Sequence, residues 1–153
     1  MGARVDLVGR TPLPLNAHVS AQMQRMPRSS TGPEIDLRRA LHRRGLRFRI
    51  TGVRLPGRPD IIFPRARLAV FVDGCFWHRC PLHGILPKNN ADWWLAKLDR
   101  NVERDREKDA ALAALGWHIV HVWEHEDMAA AAARIDQLWR ERCAVAGSGA
   151  SSR

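Results

Sequence analysis

Features that mark secreted and membrane proteins are missing from this 153-residue sequence. No apolar run approaches the roughly 20 residues that a membrane-spanning helix needs. No signal-peptide core follows the N-terminus, and Asp6 stands where a myristoylation signal requires Ser or Thr. Cysteine is scarce, with three residues in a chain long enough to fold without disulfide bonds. We therefore expect a cytoplasmic protein with no membrane segment.

Acidic residues are outnumbered, with 16 Asp and Glu against 25 Lys and Arg, so the net charge is +9. This excess indicates a polyanionic partner, most simply a nucleic acid. A basic but otherwise ordinary surface is the alternative. The hydrophobic content of 45% is typical of a globular protein, and the length fits one domain.

The pattern of apolar residues, prolines and glycines predicts alternating helices and strands. Residues 1–20 have no clear period, so we expect a flexible arm. Residues 22–34 are either a disordered basic lead-in or an arm that wraps DNA and orders on contact. The element order predicts an α/β fold with a mixed sheet and helices on its faces. The first predicted helix runs from near Pro33 to Gly45, further helices cover 91–115 and 127–142, and strands cover 46–53, 61–63, 68–72 and 118–124.

Candidate chemistry is concentrated in residues 70–83, which read VFVDGCFWHRCPLH. Two cysteines and a histidine within this stretch have C-x4-C-x2-H spacing, which suits zinc because zinc prefers thiolate and imidazole ligands. His125, at the end of the last predicted strand, is the best fourth ligand, whereas His121 lies in mid-strand and is less able to reach the loop. Four protein ligands leave no open position, so the zinc would be structural. The four candidate ligands are Cys75, Cys80, His83 and His125.

Other residues are candidates for phosphodiester hydrolysis, which needs a metal-binding carboxylate and a group that activates water. Asp60 begins a strand after a Pro/Gly turn, and it either binds a metal ion or caps its own turn. His78 is either the general base, a spare zinc ligand or a surface residue. Lys97, Asn101 and Asp105 are spaced four apart and share one face of the predicted long helix, a pattern that a solvated surface also produces.

Taken together, these motifs resemble the very-short-patch mismatch repair endonucleases, the Vsr family. The matching blocks cover about residues 20–126 and read MQRMPRSSTGPE, LPGRPDIIF, VFVDGCFWHRCPLH, WWLAKLDRNVERDREKDAAL and LGWHIVHVWEH. The resemblance implies a restriction-endonuclease-like core of the PD-(D/E)XK type with a structural zinc site. The expected domains are a flexible arm at 1–20, a Vsr-like endonuclease domain at 21–142 and a disordered tail at 143–153.

The Vsr resemblance also implies a reaction. This is Mg²⁺-dependent nicking of one DNA strand on the 5′ side of the thymine in a T:G mismatch, which arises when 5-methylcytosine deaminates. The implied partners are double-stranded DNA with that mismatch and, functionally, a cytosine-5 DNA methyltransferase. Because a mismatch has no two-fold symmetry, we expect a monomer.

The same resemblance assigns roles to individual residues, with catalytic Mg²⁺ at one site and structural Zn²⁺ at the other. Mg²⁺ would be held by Asp60 and the backbone carbonyl of Val72, His78 would activate the attacking water, and Glu34 and Asp105 would bind metal-coordinated waters or orient the site. The DNA-binding residues would be Phe76, Trp77 and Trp94 in an aromatic wedge, Met23 and Met26 in a minor-groove arm, and Lys97 and Asn101 at the edges of the T:G pair.

Three departures from the better-known family pattern leave questions open. Asp73 stands where that form has a second histidine, and it could approach the metal instead, so the division of roles between His78 and Asp73 stays open. Arg79 stands where some members have a zinc-binding histidine, which makes His83 the replacement ligand. His125 occupies a place where a cysteine is also seen.

Two other functions compete with the mismatch endonuclease. One is a restriction-type or other repair nuclease with a different base specificity. The other is a zinc-stabilised DNA-binding module without cleavage. Asp60 and His78 argue against the module, because binding alone requires neither residue.

Overall fold

The computed structural model describes residues 31–75, 77–83 and 86–148, and these form three helices and three strands in the order α-β-β-α-β-α. Strand β1 pairs antiparallel with β2, and β2 pairs parallel with β3, so β2 is the central strand of a mixed sheet. The predicted α/β class and mixed sheet are confirmed. Among the described residues, no helix has the length and apolar character to cross a membrane. The elements are α1 (Gly32–Arg43), β1 (Ile61–Phe63), β2 (Leu68–Asp73), α2 (Ala91–Ala114), β3 (His118–Trp123) and α3 (Met128–Ser148).

Helix α1 begins and ends where the sequence predicts. Pro33 lies in its first turn, where a missing N–H costs nothing. Beyond its last turn Gly45 adopts a positive φ of 79°, and its N–H donates to the carbonyl of His42 at 2.9 Å. The N–H of Leu46 donates to the carbonyl of Leu41 at 3.2 Å, which completes a Schellman-type helix end. The chain therefore reverses with Leu41 and Leu46 both buried.

The hydrophobic core lies between the sheet and the α1–α3 pair. Alternation along the strands places Val70, Val120 and Val122 on this face. The opposite face carries Asp73 and His121 and lies against α2. One face of the sheet therefore packs in the core, and the other carries polar residues toward α2. The buried core residues include Leu37, Leu41, Ile61, Phe63, Leu68, Val70, Val120, Val122, Ala131, Ala132 and Ile135.

The strand predicted at 46–53 is wrong. This segment pairs with the sheet at one point only, where Arg49 and Ile62 exchange two backbone hydrogen bonds of 2.8 Å. A bend follows at Thr51-Gly52, where Gly52 has a φ of 85°. Strand β1 also offers only three residues for pairing. The alternating residues 46–53 therefore lack a partner strand long enough to form a ladder of backbone hydrogen bonds.

The C-terminal tail predicted as disordered from residue 143 begins within a helix. Helix α3 continues to Ser148, and residues 149–153 lie outside the described part of the chain. No helix-breaking residue interrupts the sequence before Gly147. Arg142 donates from Nε to the carbonyl of Ala66 at 2.6 Å, and Cys143 packs against the core. These contacts hold the extra turns against the rest of the protein.

Candidate active site

The turn before β1 holds Asp60 against the central strand. Gly57 has a φ of 81°, and a Cβ there would lie 3.1 Å from the side chain of Lys108, so glycine suits the position. The N–H of Asp60 donates to the carbonyl of Val70 at 2.9 Å, and its Oδ2 accepts from the N–H of Val72 at 2.7 Å. The carboxylate therefore does not cap its own turn, and it lies beside the backbone of β2.

Five carboxylates from separate parts of the chain line one open cleft of about 210 Å³. Asp60 enters from the turn, and a buried glutamate enters from α1. The other three come from the end of β2 and from two successive turns of α2. Two histidines share the cleft with them. The carboxylates are Glu34, Asp60, Asp73, Asp105 and Asp109, and the histidines are His78 and His121.

The environment of Asp60 opposes its ionisation. Burial is the largest cause, and together with the nearby charges of Glu34 and Asp73 it raises the pKa of Asp60 to about 6. The N–H of Val72 and the charge of Arg38 act in the opposite direction. A carboxyl group crowded by other carboxylates is stabilised in its charged form by a cation.

The oxygen-rich cleft fits a hard divalent cation such as Mg²⁺. Mg²⁺ prefers carboxylate and carbonyl oxygens and retains several waters. The crowded negative charge around Asp60 supplies the electrostatic attraction for it. Asp60 and the adjacent backbone of Val72 are the residues that could hold such an ion, and their role as Mg²⁺ ligands stays a prediction.

His78 lies between two carboxylates at the mouth of the cleft. Its Nδ1 is 2.5 Å from Oδ2 of Asp105, and its Nε2 is 4.0 Å from Oδ1 of Asp73. With Asp105 accepting a hydrogen bond from Nδ1–H, the lone pair of the neutral ring is on Nε2. The ring is therefore oriented to accept a proton on the side that faces Asp73.

His121 is a cleft residue that the sequence analysis considered only as a zinc ligand. Its Nδ1 is 2.6 Å from Oδ2 of Asp73, and its Nε2 is 2.7 Å from Oδ2 of Asp109. The bond to Asp73 is the main reason that the pKa of His121 rises to about 9, with Asp109 adding to the effect and burial opposing it. The ring is thus a cation at neutral pH.

The sequence contained a signal for His121 and another for Asp109. His121 alternates with Val120 and Val122, two buried core residues, so it had to point toward the opposite face of the strand. Asp109 lies four residues after Asp105 and extends the polar line of α2 by one turn. Only the pairing of β2 with β3 and the packing of α2 against β3 bring these two residues into the cleft.

The four predicted zinc ligands meet at the edge of the sheet. Their ligand atoms all lie within 4.8 Å of one another. Sγ of Cys75 is 3.1 Å and Sγ of Cys80 is 3.6 Å from Nδ1 of His125, and Sγ of Cys80 is 3.9 Å from Nδ1 of His83. Ligands of a tetrahedral zinc are about 3.3–3.8 Å apart, given bond lengths of about 2.0–2.3 Å. The cluster is therefore compact enough to hold one metal ion, and its assignment to zinc stays a prediction.

The chemistry of the two thiols also fits a bound cation. Both cysteines are buried and form no disulfide. Burial is the main cause that raises the pKa of Cys75 to about 11, and the neighbouring Cys80 and Glu124 raise it further. A dication would reverse this effect, because it stabilises the thiolate form. The arrangement can therefore hold zinc through Cys75, Cys80, His83 and His125.

An aromatic cluster lies beside the cleft, formed by the first turns of α2 and by the loop that precedes the helix. The ring centroids of Trp77 and Trp94 are 6.0 Å apart, and those of Trp93 and Trp94 are 4.8 Å apart. Nζ of Lys97 lies 4.8 Å from the ring centroid of Trp93 and within 5.8 Å of the other two rings. Nδ2 of Asn101 donates to the carbonyl of Trp77 at 3.4 Å. Trp93 belongs to this cluster although the sequence analysis did not single it out.

The predicted polar line of α2 has a distinct contact at each turn. Lys97 meets the tryptophans, Asn101 meets the loop backbone, and Asp105 meets His78. One helix face thus connects the aromatic cluster to the cleft. Three predicted DNA-binding residues, Phe76, Met23 and Met26, lie outside the described residues.

Comparison with known proteins places these features in one family. The family model described as DNA mismatch endonuclease Vsr matches residues 15–82. The type II nicking enzyme V.NaeI of Lentzea aerocolonigenes is 46% identical over 144 residues, which cover 89% of this chain and 86% of that protein. V.XorIIP of Xanthomonas oryzae pv. oryzae, also named a type II nicking enzyme, is 47% identical over 120 residues, covering 76% of this chain and 88% of the relative.

A repair enzyme is also among the relatives. The DNA mismatch endonuclease Vsr of Escherichia coli is 39% identical over 107 residues, which cover 69% of this chain and 68% of that enzyme. These similarities to nicking and mismatch endonucleases argue against a binding module without cleavage. The chain belongs to the Vsr family of DNA mismatch endonucleases and is a strand-nicking nuclease.

Proposed function

We propose that this enzyme nicks one strand of duplex DNA on the 5′ side of the thymine in a T:G mismatch left by deamination of 5-methylcytosine. The observation that carries the proposal is the continuous face of α2, which runs from Lys97 through Asn101 to Asp105. It connects the residues proposed to read the mismatch with the histidine proposed to activate water.

Each cleft residue has its own role in the hydrolysis. Nε2 of His78 accepts a proton from water as the water oxygen forms a bond to phosphorus. The bond from phosphorus to the 3′ oxygen breaks, and this oxygen takes a proton from solvent, which gives a 3′-hydroxyl and a 5′-phosphate. Asp105 holds the ring and stabilises the imidazolium that forms. Mg²⁺ held by Asp60 and the Val72 carbonyl, with Glu34 ordering its waters, would supply Lewis-acid stabilisation of the phosphate charge.

Mismatch recognition is assigned to the aromatic cluster. Trp77 and Trp94, together with Phe76, form the wedge that enters beside the mismatch, where stacking and pairing are weaker and opening the step costs less. Lys97 and Asn101 then reach the base edges of the wobble pair, which present a different pattern from a Watson–Crick pair. The arm that carries Met23 and Met26 is proposed to lie in the minor groove.

The remaining features complete the proposal. The mixed sheet belongs to a restriction-endonuclease-like core, and one structural Zn²⁺ per chain is bound through the four-residue site. A reducing cytoplasm keeps its cysteines available to the metal. The enzyme acts as a monomer on sites made by a cytosine-5 DNA methyltransferase, whose target sequence sets the context of the mismatch.

A strand-resolved nicking assay tests this function. Zinc-replete protein with Mg²⁺ is given duplexes that carry T:G, T:A or C:G at one position, in several methylation contexts. We expect a single cut 5′ of the mismatched thymine and none in matched DNA. Asp60→Asn should lower the rate by at least about 10³-fold because the metal ligand is lost, while Asp36→Asn, an exposed carboxylate of α1, should retain the wild-type rate.

A second candidate is a nicking enzyme with another base specificity. It is favoured by relatives that are named type II nicking enzymes. Cutting of the matched duplexes in the same assay would support it and contradict the T:G assignment. Nicking by Asp60→Asn at the wild-type rate would contradict the proposed Mg²⁺ ligand in either case.

A further inference from the structure

The cleft contains a chain of side chains in which carboxylates and imidazoles alternate. It runs from Asp105 to His78, then to Asp73, His121 and Asp109. Three of its four gaps are hydrogen-bonding distances of 2.5–2.7 Å. Its two ends are one helical turn apart on α2, so the chain forms an arc across the loop, β2 and β3.

The one open gap in this arc lies between Nε2 of His78 and Oδ1 of Asp73. The separation of 4.0 Å is too long for a direct hydrogen bond. Two polar atoms that share one water, each about 2.8 Å from it, lie roughly 4–5 Å apart. The gap therefore has the size of a site for one water molecule.

Asp73 needs a partner because of where it lies. The residue is 7% exposed, and its carboxylate lies close enough to Asp60 for the two negative charges to interact. An unpaired buried carboxylate is costly, so a fixed donor is required. His121 provides that donor to Oδ2 and is itself anchored on the other side by Asp109. Phe71 stacks on the imidazole with ring centroids 5.2 Å apart, which restricts the ring further.

We propose that His121 is a positioning residue for hydrolysis: it fixes Asp73 so that Asp73 and His78 hold the attacking water between them. In this arrangement one proton of the water passes to Nε2 of His78, and the other is donated in a hydrogen bond to Oδ1 of Asp73. His121 exchanges no proton with the substrate. The inference rests on the proposed function, since it deepens the role of the same cleft.

The test measures single-turnover nicking by His121→Ala, Asp73→Ala and the double variant. We expect His121→Ala to be about 10–100-fold slower, the size of effect that a misplaced group produces, with unchanged affinity for the duplex. If His121 acts through Asp73, the double variant should be no more than about twofold slower than Asp73→Ala alone. A rate loss in the double variant that equals the product of the two single losses would overturn the proposal. A His121→Ala rate within about twofold of the wild type would overturn it as well.

The matched control is His118→Ala. This histidine is on the same strand, is exposed and points away from the cleft, so its loss should leave nicking unchanged. Asp109→Ala is the second variant in case His121→Ala does not fold. It keeps the bond from His121 to Asp73 but loses the outer anchor, and it should reduce the rate in the same direction by a smaller factor. Melting curves show whether each variant folds.

A readout without cleavage separates this inference from the T:G assignment. We expect ¹⁵N-histidine NMR to show changed ring signals of His78 in His121→Ala and unchanged ones in His118→Ala. Identical His78 signals in both variants would overturn the positioning role. If the wild type cuts matched DNA or no DNA, the T:G assignment fails, whereas the NMR comparison still decides the role of His121.

Discussion

At the scale of single residues, Asp60 shows how a functional group works against the stability of its own fold. Its pKa is raised from 3.8 to about 6, chiefly because it is buried. A raised pKa means that the folded state holds the proton more tightly than the unfolded state does. The stability contribution is therefore fully present below pH 3.8 and is lost as the pH rises through about 6.

We predict that Asp60→Asn is more stable than the wild type at pH 7.5 without Mg²⁺. A shift of about two pKa units corresponds to roughly 3 kcal/mol at most, and solvent screening reduces the expected gain to about 1–2 kcal/mol. Asn keeps the acceptor for the Val72 N–H, so the gain reflects loss of charge alone. Urea unfolding at pH 7.5 and 5.0 checks this, because the difference should shrink at the lower pH. An Asn variant less stable at pH 7.5 would contradict the assigned cause.

At the scale of elements, the loop between β2 and α2 serves two sites at once. Cys75, Cys80 and His83 would anchor it to the predicted zinc, while Trp77 and His78 project between them toward α2. The N–H of Cys75 donates to Glu124 beyond β3 at 3.0 Å, which fixes the loop a second time. A loop held at both ends can present a tryptophan and a histidine in fixed positions.

We expect Trp77→Ala to reduce discrimination between T:G and T:A duplexes by about tenfold, because one base–aromatic stack is worth about 1–3 kcal/mol. Trp77→Phe retains an aromatic face and is the matched control. Equilibrium binding with Ca²⁺ in place of Mg²⁺ measures both ratios without cleavage. A Trp77→Ala protein with the wild-type ratio would show that this ring is not part of the wedge.

At the scale of the whole molecule, the parallel pairing of β2 and β3 creates both sites. Asp73 pairs with Trp123 in the register of these strands, so the segments that follow them leave the sheet at the same edge. The predicted zinc ligands of the loop there meet His125, and cleft carboxylates meet His121. A zinc ion coordinated by residues that follow β2 and β3 would link the ends of these two strands. The described part of the fold has only three strands.

Removal of zinc should therefore destabilise the entire domain. We predict one zinc per chain by elemental analysis and a loss of at least about 2 kcal/mol of folding free energy in Cys80→Ser, because metal binding contributes directly to folding. Cys143→Ser changes the same residue type in α3, away from the cluster, and should retain the metal. Folded wild-type protein without zinc, or equal metal loss in both variants, would contradict the site.

Local patterns in the sequence determined most of the elements and the site motifs. Pro33 and Gly45 bound α1, the C-x4-C-x2-H spacing marked the metal loop, and the i, i+4 line of α2 joined Lys97, Asn101 and Asp105. These features depend on neighbours within a few residues, or on the fixed period of a helix, and so they can be read directly from the sequence. The metal-binding and DNA-binding roles of these residues stay predictions.

The tertiary structure decided what depends on partners far along the chain. Residues 46–53 alternate like a strand, but strand formation requires a neighbour of sufficient length, and β1 is too short to provide one. Helix α3 gained its last turns from Arg142, whose partner Ala66 lies 76 residues earlier. His121 became a cleft residue only because sheet pairing placed it beside Asp73 and helix packing placed Asp109 on its other side. The sequence thus determined the local geometry and the family, whereas long-range packing determined which charged groups share the cleft.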